Sequence, residues 1–479
     1  MKLRRVMLAA PKSGSGKTLL TCALLQALKE GGYPVSACKS GPDYIDPMFH
    51  KMVLNVPSKN LDTFFTGPEE TRNLLLKGRS EDEFIVMEGV MGLFDGLGGI
   101  REEGSSYHLA TVTKTPVILV VDAKGMGRSL LPLIAGFLSY DREHLIRGVI
   151  LNRMSAGYYG TLKPLLEAEL KIPVLGYFPE QNKLHMESRH LGLKMPEEIK
   201  DLQQMVHLAA EQLKKTVSLE KIVQIAGEAD ELESSKSELS ERQSMKVMTD
   251  EQEQIRREAK NHLDAPVIAV ARDEAFCFYY EDNLRLLEEY GARLVPFSPL
   301  HDDQLPVNCS GLLIGGGYPE LYAKQLSENS SMRASVQEAI RCGIPTVAEC
   351  GGFMYLHDAL EGTDGAVYPM AGVIPGICRN AGKLMRFGYI ELREQQSSFL
   401  PEGAVIRGHE FHYYDSTDNG GDCLATKPLT QKSYACVHQS ALHWWGFPHL
   451  YYPSNPQFAM SFVKKTRKFE TSECSEYCQ

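Results

Sequence analysis

Two short stretches of this chain carry side chains whose types and spacing suit chemistry. In the first, Gly343 to Leu360, Ile344-Pro345-Thr346-Val347-Ala348 is an apolar run of strand type and Phe353-Met354-Tyr355-Leu356 resumes at helical spacing. Between them stand Glu349, Cys350, Gly351 and Gly352. A strand that turns sharply into a helix with a nucleophile at the corner is an elbow. Two glycines after the Cys allow the tight turn and a close backbone approach. A thiol at the positive end of a helix is expected to have a lowered pKa and to favour the thiolate. The second stretch is Gly14-Ser15-Gly16-Lys17-Thr18, set between an apolar strand at 4–10 and a helix with Leu19, Cys22, Leu25 and Leu28 at helical spacing. That is a phosphate cradle. Backbone N–H groups of Gly14, Ser15, Gly16, Lys17 and Thr18 would hold the β- and γ-phosphates of ATP, Lys17 adds charge, and the Thr18 hydroxyl ligates Mg²⁺. Pro11 replaces the first Gly of the usual pattern, so the loop is a variant. Lys12 falls where some dimeric ATPases carry a second lysine, but Ser13 stands where those have Gly, and a solvent-facing Lys12 is the expectation.

Further acids cluster after the strands that follow. Pro42 and Pro47 stiffen a loop that displays Asp43 and Asp46 just past a strand at 34–39, which suits Mg²⁺ or substrate, with plain turn formation as the alternative. Glu88 closes the buried strand 84–87, where a P-loop protein places its Mg²⁺-associated carboxylate. The glycines of 89–96 imply a mobile loop carrying Asp95. Asn152 ends another apolar strand and either reads the adenine or caps the strand. Gly315-Gly316-Gly317 follows the strand 311–314, and the N–H groups of Gly317 and Gly351 could form an oxyanion hole. A cysteine nucleophile needs a base. His409, His412, His438, His443 and His449 all lie downstream, and spacing alone does not choose among them.

These residues need a scaffold of strands alternating with helical stretches, which reads as α/β, a mostly parallel, doubly wound sheet in the first half. From residue 214 to 262 Glu, Lys, Ser and Gln dominate with little periodic apolar content, a solvated linker. The expected organisation is therefore 1–213, a linker 214–262, and a second α/β domain at 263–479. A length of 479 residues accommodates this, and 43% hydrophobic with 23% charged residues is ordinary for a globular protein. The net charge of -10 speaks against a wide nucleic-acid surface. Eleven cysteines with no CxxC pair offer no zinc or iron–sulfur framework. No apolar run reaches membrane-spanning length and the start enters a strand directly, so no membrane and a cytoplasmic location are expected. The final ECSEYCQ, with Cys474 and Cys478, is read as a frayed tail.

Taken together, the motifs resemble the cobyrinate a,c-diamide synthases of corrin-ring biosynthesis, ATP- and glutamine-dependent amidoligases. The resemblance covers nearly the whole chain apart from the linker and the tail after Lys468. It rests on the GKT loop, Lys39-Ser40-Gly41-Pro42-Asp43-Tyr44-Ile45-Asp46-Pro47, Asn60-Leu61-Asp62, the run Glu88 to Gly96, Arg189-His190-Leu191-Gly192-Leu193, Gly315 to Glu320, Glu349-Cys350-Gly351-Gly352, Arg386-Phe387-Gly388-Tyr389 and Gly408-His409-Glu410-Phe411-His412. It implies a dethiobiotin synthetase-like P-loop synthetase domain fused to a class I glutamine amidotransferase-like domain. Glutamine would be hydrolysed at Cys350, and the ammonia would displace phosphate from a macrocycle carboxylate that ATP has phosphorylated, c first and then a. By position the activating His is His449, before Ser454-Asn455-Pro456. Tyr451 replaces the family's second His, and the segment with His438 and His443 looks inserted, which keeps those two as alternatives. An acid two residues after the His, found in many amidotransferases, is absent. Asp43, Asp46, Glu88 and Asp95 fall on acidic positions used around Mg²⁺, ATP and substrate, and Lys39 lies among them. The implied partners are cobyrinate, L-glutamine and ATP, with a homodimer as the assembly carried forward. Rival readings are the same chemistry on hydrogenobyrinate or nickel sirohydrochlorin, or, in another class, a dimeric P-loop regulatory ATPase.

Overall fold

The structure, a computed structural model, describes residues 2–181, 196–232 and 265–469. The motif Arg189 to Leu193, most of the expected linker, and Cys474 and Cys478 lie outside the described residues. The chain folds as two units, 1–241 and 242–479.

In the first unit, seven strands form one sheet: β1 Arg4–Ala9, β2 Val35–Ser40, β3 Ser58–Leu61, β4 Phe84–Glu88, β5 Val117–Asp122, β6 Ile146–Asn152 and β7 Val174–Phe178. Their order is β3-β2-β4-β1-β5-β6-β7, and every pairing is parallel. Strands buried on both faces read as continuous apolar runs, which is why VILVV and FIVM stand out in the sequence. Because all strands point one way, the loops after β1, β2 and β4 gather at one end of the sheet. That end is where ligands bind in such folds. Helix α1, Lys17–Glu30, starts directly after the Gly14–Gly16 loop, and α2, Ile45–Met52, follows the Pro42–Tyr44 turn.

The linker does not begin at 214. Helix α3, Pro196–Thr216, runs past that point, and α4, Leu219–Gly227, follows with Ile222, Ile225 and Ala226 buried in the same core as Leu24, Leu28 and Val206. Each buried Ile, Leu or Val side chain contributes about 1.5–3 kcal/mol. The buried guanidinium of Arg5 ties the end of this segment to β1, donating to the carbonyls of Thr113 at 2.9 Å and Asp230 at 2.6 Å. The Glu- and Lys-rich composition hid the apolar stripe, because the other helix faces are wet.

The second unit contains strands β8 Val267–Ala271, β9 Phe276–Phe278, β10 Arg293–Phe297, β11 Gly311–Ile314, β12 Gly316–Gly317, β13 Thr346–Glu349, β14 His357–Glu361, β15 Val367–Pro369, β16 Ile374–Asn380, β17 Arg386–Glu394, β18 Val405–His412, β19 Tyr414–Ser416, β20 Cys423–Thr426, β21 Ser433–Cys436, β22 His438–Gln439, β23 His443–Gly446 and β24 His449–Leu450. A six-stranded sheet in the order β10-β8-β11-β13-β23-β22 puts β13, which precedes Cys350, inside the unit. A five-stranded sheet, β21-β20-β17-β18-β24, brings β24 with His449 alongside β18. The segment with His438 and His443 is built into the six-stranded sheet. β23 pairs with β13 in parallel, and Trp444 is fully buried.

Candidate active sites

In the first unit the cradle takes the expected form. Gly14 and Gly16 have φ of 74° and 88°, values costly for a residue with a Cβ, and Gly16 is the residue before α1. The Thr18 hydroxyl donates to Glu88 Oε1 at 2.6 Å. Lys39 Nζ lies 3.0 Å from the same oxygen and pairs with Asp46 as well. Burial would lower the Lys39 pKa, but Glu88 and Asp46 beside it drive it well above the ordinary value. Burial likewise works against the Glu88 carboxylate, and the Lys39 ammonium more than reverses this. Asp46, half-buried beside Glu88, is pushed up by desolvation and the Glu88 charge. Lys17 Nζ donates to the carbonyls of Met91 at 2.5 Å and Lys12 at 3.4 Å, and burial, with Lys39 nearby, pushes it down to about 8.

The four acids divide. Asp46 and Glu88 meet at Lys39, whereas Asp43 Oδ1 accepts from Ile45 N at 2.8 Å and Asp95 Oδ2 from Gly92 N at 3.0 Å, both shaping turns. Asn152 braces the cradle. Its Nδ2 donates to the Ser15 carbonyl at 2.8 Å, and its Oδ1 accepts from Arg153 N at 3.0 Å. A Cβ on Gly16 would fall 2.2 Å from that Nδ2. His50 was not anticipated. Fully buried, its Nε2 lies 3.6 Å from Glu88 Oε2 and its Nδ1 is 3.0 Å from Ser58 Oγ. The signal available was its place four residues after Asp46 on α2, one turn along the same face.

These residues fit a small divalent cation. Thr18, Glu88 and Asp46 offer a hydroxyl and two carboxylates, the oxygen donors that Mg²⁺ takes. Glu88 Oε2 is buried with no hydrogen bond among the described residues.

In the second unit Cys350 stands at the end of β13 with φ 49° and ψ -103°, immediately before the helix Gly351–Leu356. Such a backbone costs of order 1–3 kcal/mol and is held by the bonds Cys350 N to Gly446 O at 2.8 Å and Met354 N to Cys350 O at 2.9 Å. The expectation of a lowered thiol pKa is overturned. Burial pushes the Cys350 thiol up, and the negative charge of Glu320 adds to the effect. A helix of only six residues offers too little dipole to offset desolvation.

Gly317 and Gly351 are brought together. A Cβ on Gly351 would lie 3.1 Å from Gly317 N, and one on Gly317 would meet the Ala275 carbonyl at 2.0 Å, so only glycine permits the approach. His449 is buried, and its Cε1 would lie 2.4 Å from a Cβ on Gly316. Gly316–Gly317 thus lies against both the His449 ring and the start of the Cys350 helix. The His449 ring stacks on His409 at 4.9 Å and 17°. Burial, with His412 nearby, pushes His449 down to about 3.

The alternatives lie elsewhere. His443 pairs with Thr346 at the far end of β13 from Cys350, and its ring stacks on Trp445 at 4.5 Å. The ring of His438 faces Phe353 at 5.9 Å, and its Nε2 is 3.1 Å from the Asp418 carbonyl. His412 stacks on Phe447 at 4.0 Å. Two residues after His449, where an acid is absent, Tyr451 donates to Asp282 Oδ2 at 3.0 Å.

Residues 6–193 match the family profile described as the CobQ/CobB/MinD/ParA nucleotide binding domain. Residues 267–441 match that described as the CobB/CobQ-like glutamine amidotransferase domain. A nucleotide-binding P-loop domain and a glutamine amidotransferase domain in one chain define an amidating ligase. Similar chains over nearly the full length are the cobyrinate a,c-diamide synthases of Listeria innocua (38% identical, covering 96% of this chain and 98% of that one) and Priestia megaterium (39%, covering 98% of each). That of Thermoplasma volcanium is 39% identical over 86% of each. The chain belongs to the cobyrinate a,c-diamide synthase family, and its chemistry is glutamine-dependent amidation in cobalamin synthesis.

Proposed function

We propose that this enzyme converts the c and then the a side-chain carboxylate of cobyrinate to amides, with ATP and L-glutamine as co-substrates. The observation that carries the reading is the corner at Cys350, with the Gly317 N–H beside Gly351 and the His449 ring against Gly316. Cys350 Sγ attacks the glutamine amide carbon while its proton passes to His449, and the oxyanion is received by the N–H groups of Gly317 and Gly351. His449 returns the proton to the departing ammonia, and water hydrolyses the thioester to glutamate and free thiol.

A carboxylate is a poor acyl donor. Its oxygen attacks the γ-phosphorus of ATP, ADP leaves, and ammonia then displaces phosphate from the acyl phosphate. The loop Gly14 to Thr18 and Lys17 hold the phosphates, and Lys39 lies where the transferred phosphoryl group needs charge. Thr18, Glu88 and Asp46 would hold Mg²⁺, which supplies charge neutralisation on the phosphates when bound. Asp43 and Asp95 face the substrate side in this reading. The residues 1–213 carry the synthetase chemistry and 263–479 the amidotransferase chemistry, with the cytoplasm as compartment and a homodimer as assembly. Among the described residues no helix is long and apolar enough to cross a membrane.

The test is transfer of nitrogen-15 from amide-labelled glutamine with ATP to cobyrinate, hydrogenobyrinate and sirohydrochlorin in parallel. Two labelled amides on cobyrinate and none on the others are expected. Labelling of another macrocycle alone overturns the substrate assignment, and labelling of none overturns the reaction.

A further inference from the structure

Glu320 is a carboxylate that the chemistry above does not use. It lies three residues beyond Gly317 and directly after Pro319, whose Cδ would be 2.9 Å from a Cβ on Gly351. The short 3-10 turn Pro319–Leu321 fixes it there, with its carbonyl accepting from Thr363 N at 3.3 Å. Of the charges acting on the Cys350 thiol, that of Glu320 acts most strongly. Burial pushes its carboxyl up to about 7, and no ion pair with Lys, Arg or His relieves it among the described residues.

Tyr414 is a second, independent observation. It is 6% exposed, and its hydroxyl makes no hydrogen bond among the described residues. Burial, and after it the charges of Glu320, Glu361 and Asp364, push this hydroxyl up, and Tyr414 belongs to the same buried cluster as Cys350. A half-buried carboxylate without a cationic partner, and an unengaged hydroxyl in the cluster that holds the nucleophile, form a recognition pair for a cation carried by the ligand.

Glutamine brings one. The amide carbon attacked by the thiol is three carbon–carbon bonds from the carbon bearing the α-ammonium, a span of about 4 Å. The three residues from Gly317 to Glu320 reach at most about 11 Å, which keeps the carboxylate within range of that head while Gly317 faces the oxyanion. We propose that Glu320, backed by the Tyr414 hydroxyl, receives the α-ammonium of glutamine and so selects the free amino acid over amides lacking a cationic head. This rests on the reading of Cys350 as the nucleophile that opens the glutamine amide.

The test uses the full chain and two amides, L-glutamine and glutaramate, which has the same amide and carboxylate but no α-amino group. Acid release from each is measured for wild type, Glu320→Gln, Glu320→Asp and Tyr414→Phe. Wild type is expected to prefer glutamine strongly. Glu320→Gln is expected to raise KM for glutamine about 30-fold or more, the loss typical of truncating one partner of a buried charge pair. Its turnover of glutaramate should stay within about threefold of wild type, so that the preference collapses. Glu320→Asp should recover part of the preference, and Tyr414→Phe should weaken it by a smaller factor. Equal losses on both amides, which a merely structural role produces, would overturn the proposal, as would an unchanged preference. If instead Cys350→Ala still releases glutamate from glutamine, the reading of the nucleophile fails, whatever Glu320 does.

Discussion

Tyr452 Oη donates to Oε1 of Glu349 at 3.3 Å, and the Leu450 N–H donates to the same carboxyl group. Glu349 precedes Cys350, and Leu450 follows His449. The strand that ends in the nucleophile and the strand that carries its proposed base are therefore joined through one buried side chain. Burial pushes Glu349 up to about 8, so near pH 7 it is largely the neutral acid. Glu349→Gln keeps the acceptor oxygen and is expected to leave glutaminase turnover within about threefold of wild type. Glu349→Ala strands two buried donors at about 1–3 kcal/mol each. It should lower the unfolding free energy in urea and cut glutaminase turnover by at least about tenfold.

Cys350 should behave as a protonated thiol in the free protein. Burial and Glu320 push it up, so the thiolate fraction grows about tenfold per pH unit across the neutral range. Alkylation of Cys350 by iodoacetamide, followed by mass spectrometry, is expected to rise with pH from 7 to 9 without a plateau. A plateau near neutrality would show a thiolate already formed. Cys350→Ala should abolish glutamine-fed amidation and retain amidation fed by ammonium salt at high pH.

Lys39 is the cation between Asp46 and Glu88. Lys39→Met leaves two buried carboxylates without it, a loss of about 3–5 kcal/mol on the scale of broken buried pairs. A divalent cation supplies the missing charge. Thermal unfolding of Lys39→Met is expected to shift upward with MgCl₂ alone by more than wild type does. ATP-dependent amidation should fall by at least about a hundredfold.

The brace between Asn152 and Ser15 predicts a milder defect. Asn152→Ala removes one buried hydrogen bond, worth about 0.5–1.5 kcal/mol, from the cradle. The expected outcome is an ATP affinity weaker by about three- to tenfold, measured by calorimetry, with glutaminase activity intact.

The stacked pair His409 and His449 makes the protein acid-labile. Burial lowers both, His449 to about 3 and His409 well below its ordinary value. In the unfolded chain both take a proton near pH 6.5, so below that pH the unfolded state binds protons that the folded state does not. Stability is fully present above about pH 6.5 and falls with pH by about 1.4 kcal/mol per unit for each histidine. Urea unfolding at pH 7, 6 and 5 should show this slope, and His449→Gln should remove one proton's share of it.

The sequence by itself determined the parts whose physics is local. An apolar run buried on both faces, a Gly-rich turn and a helix start are written in consecutive residues, so the P-loop sheet, the cradle from Gly14 to Thr18 and the elbow at Cys350 were all legible. The carboxylates Asp46 and Glu88 were legible as candidates, because strand ends in a parallel sheet gather ligands. What only the tertiary structure decided was which distant groups share a low-dielectric space. It separated Asp46 and Glu88 from Asp43 and Asp95 by which of them pair with Lys39, brought in His50, and set the Asn152 amide against the Ser15 carbonyl of the cradle. It also raised the Cys350 thiol where the helix end alone predicted a lowered one, since desolvation depends on everything packed around the sulfur. Antiparallel strands such as β17 and β18, wet on one face and set in register by partners far along the chain, left too weak a local pattern to read. Their pairing puts His449 rather than His443 against the glycine turn beside Cys350, a choice that no spacing along the chain contains.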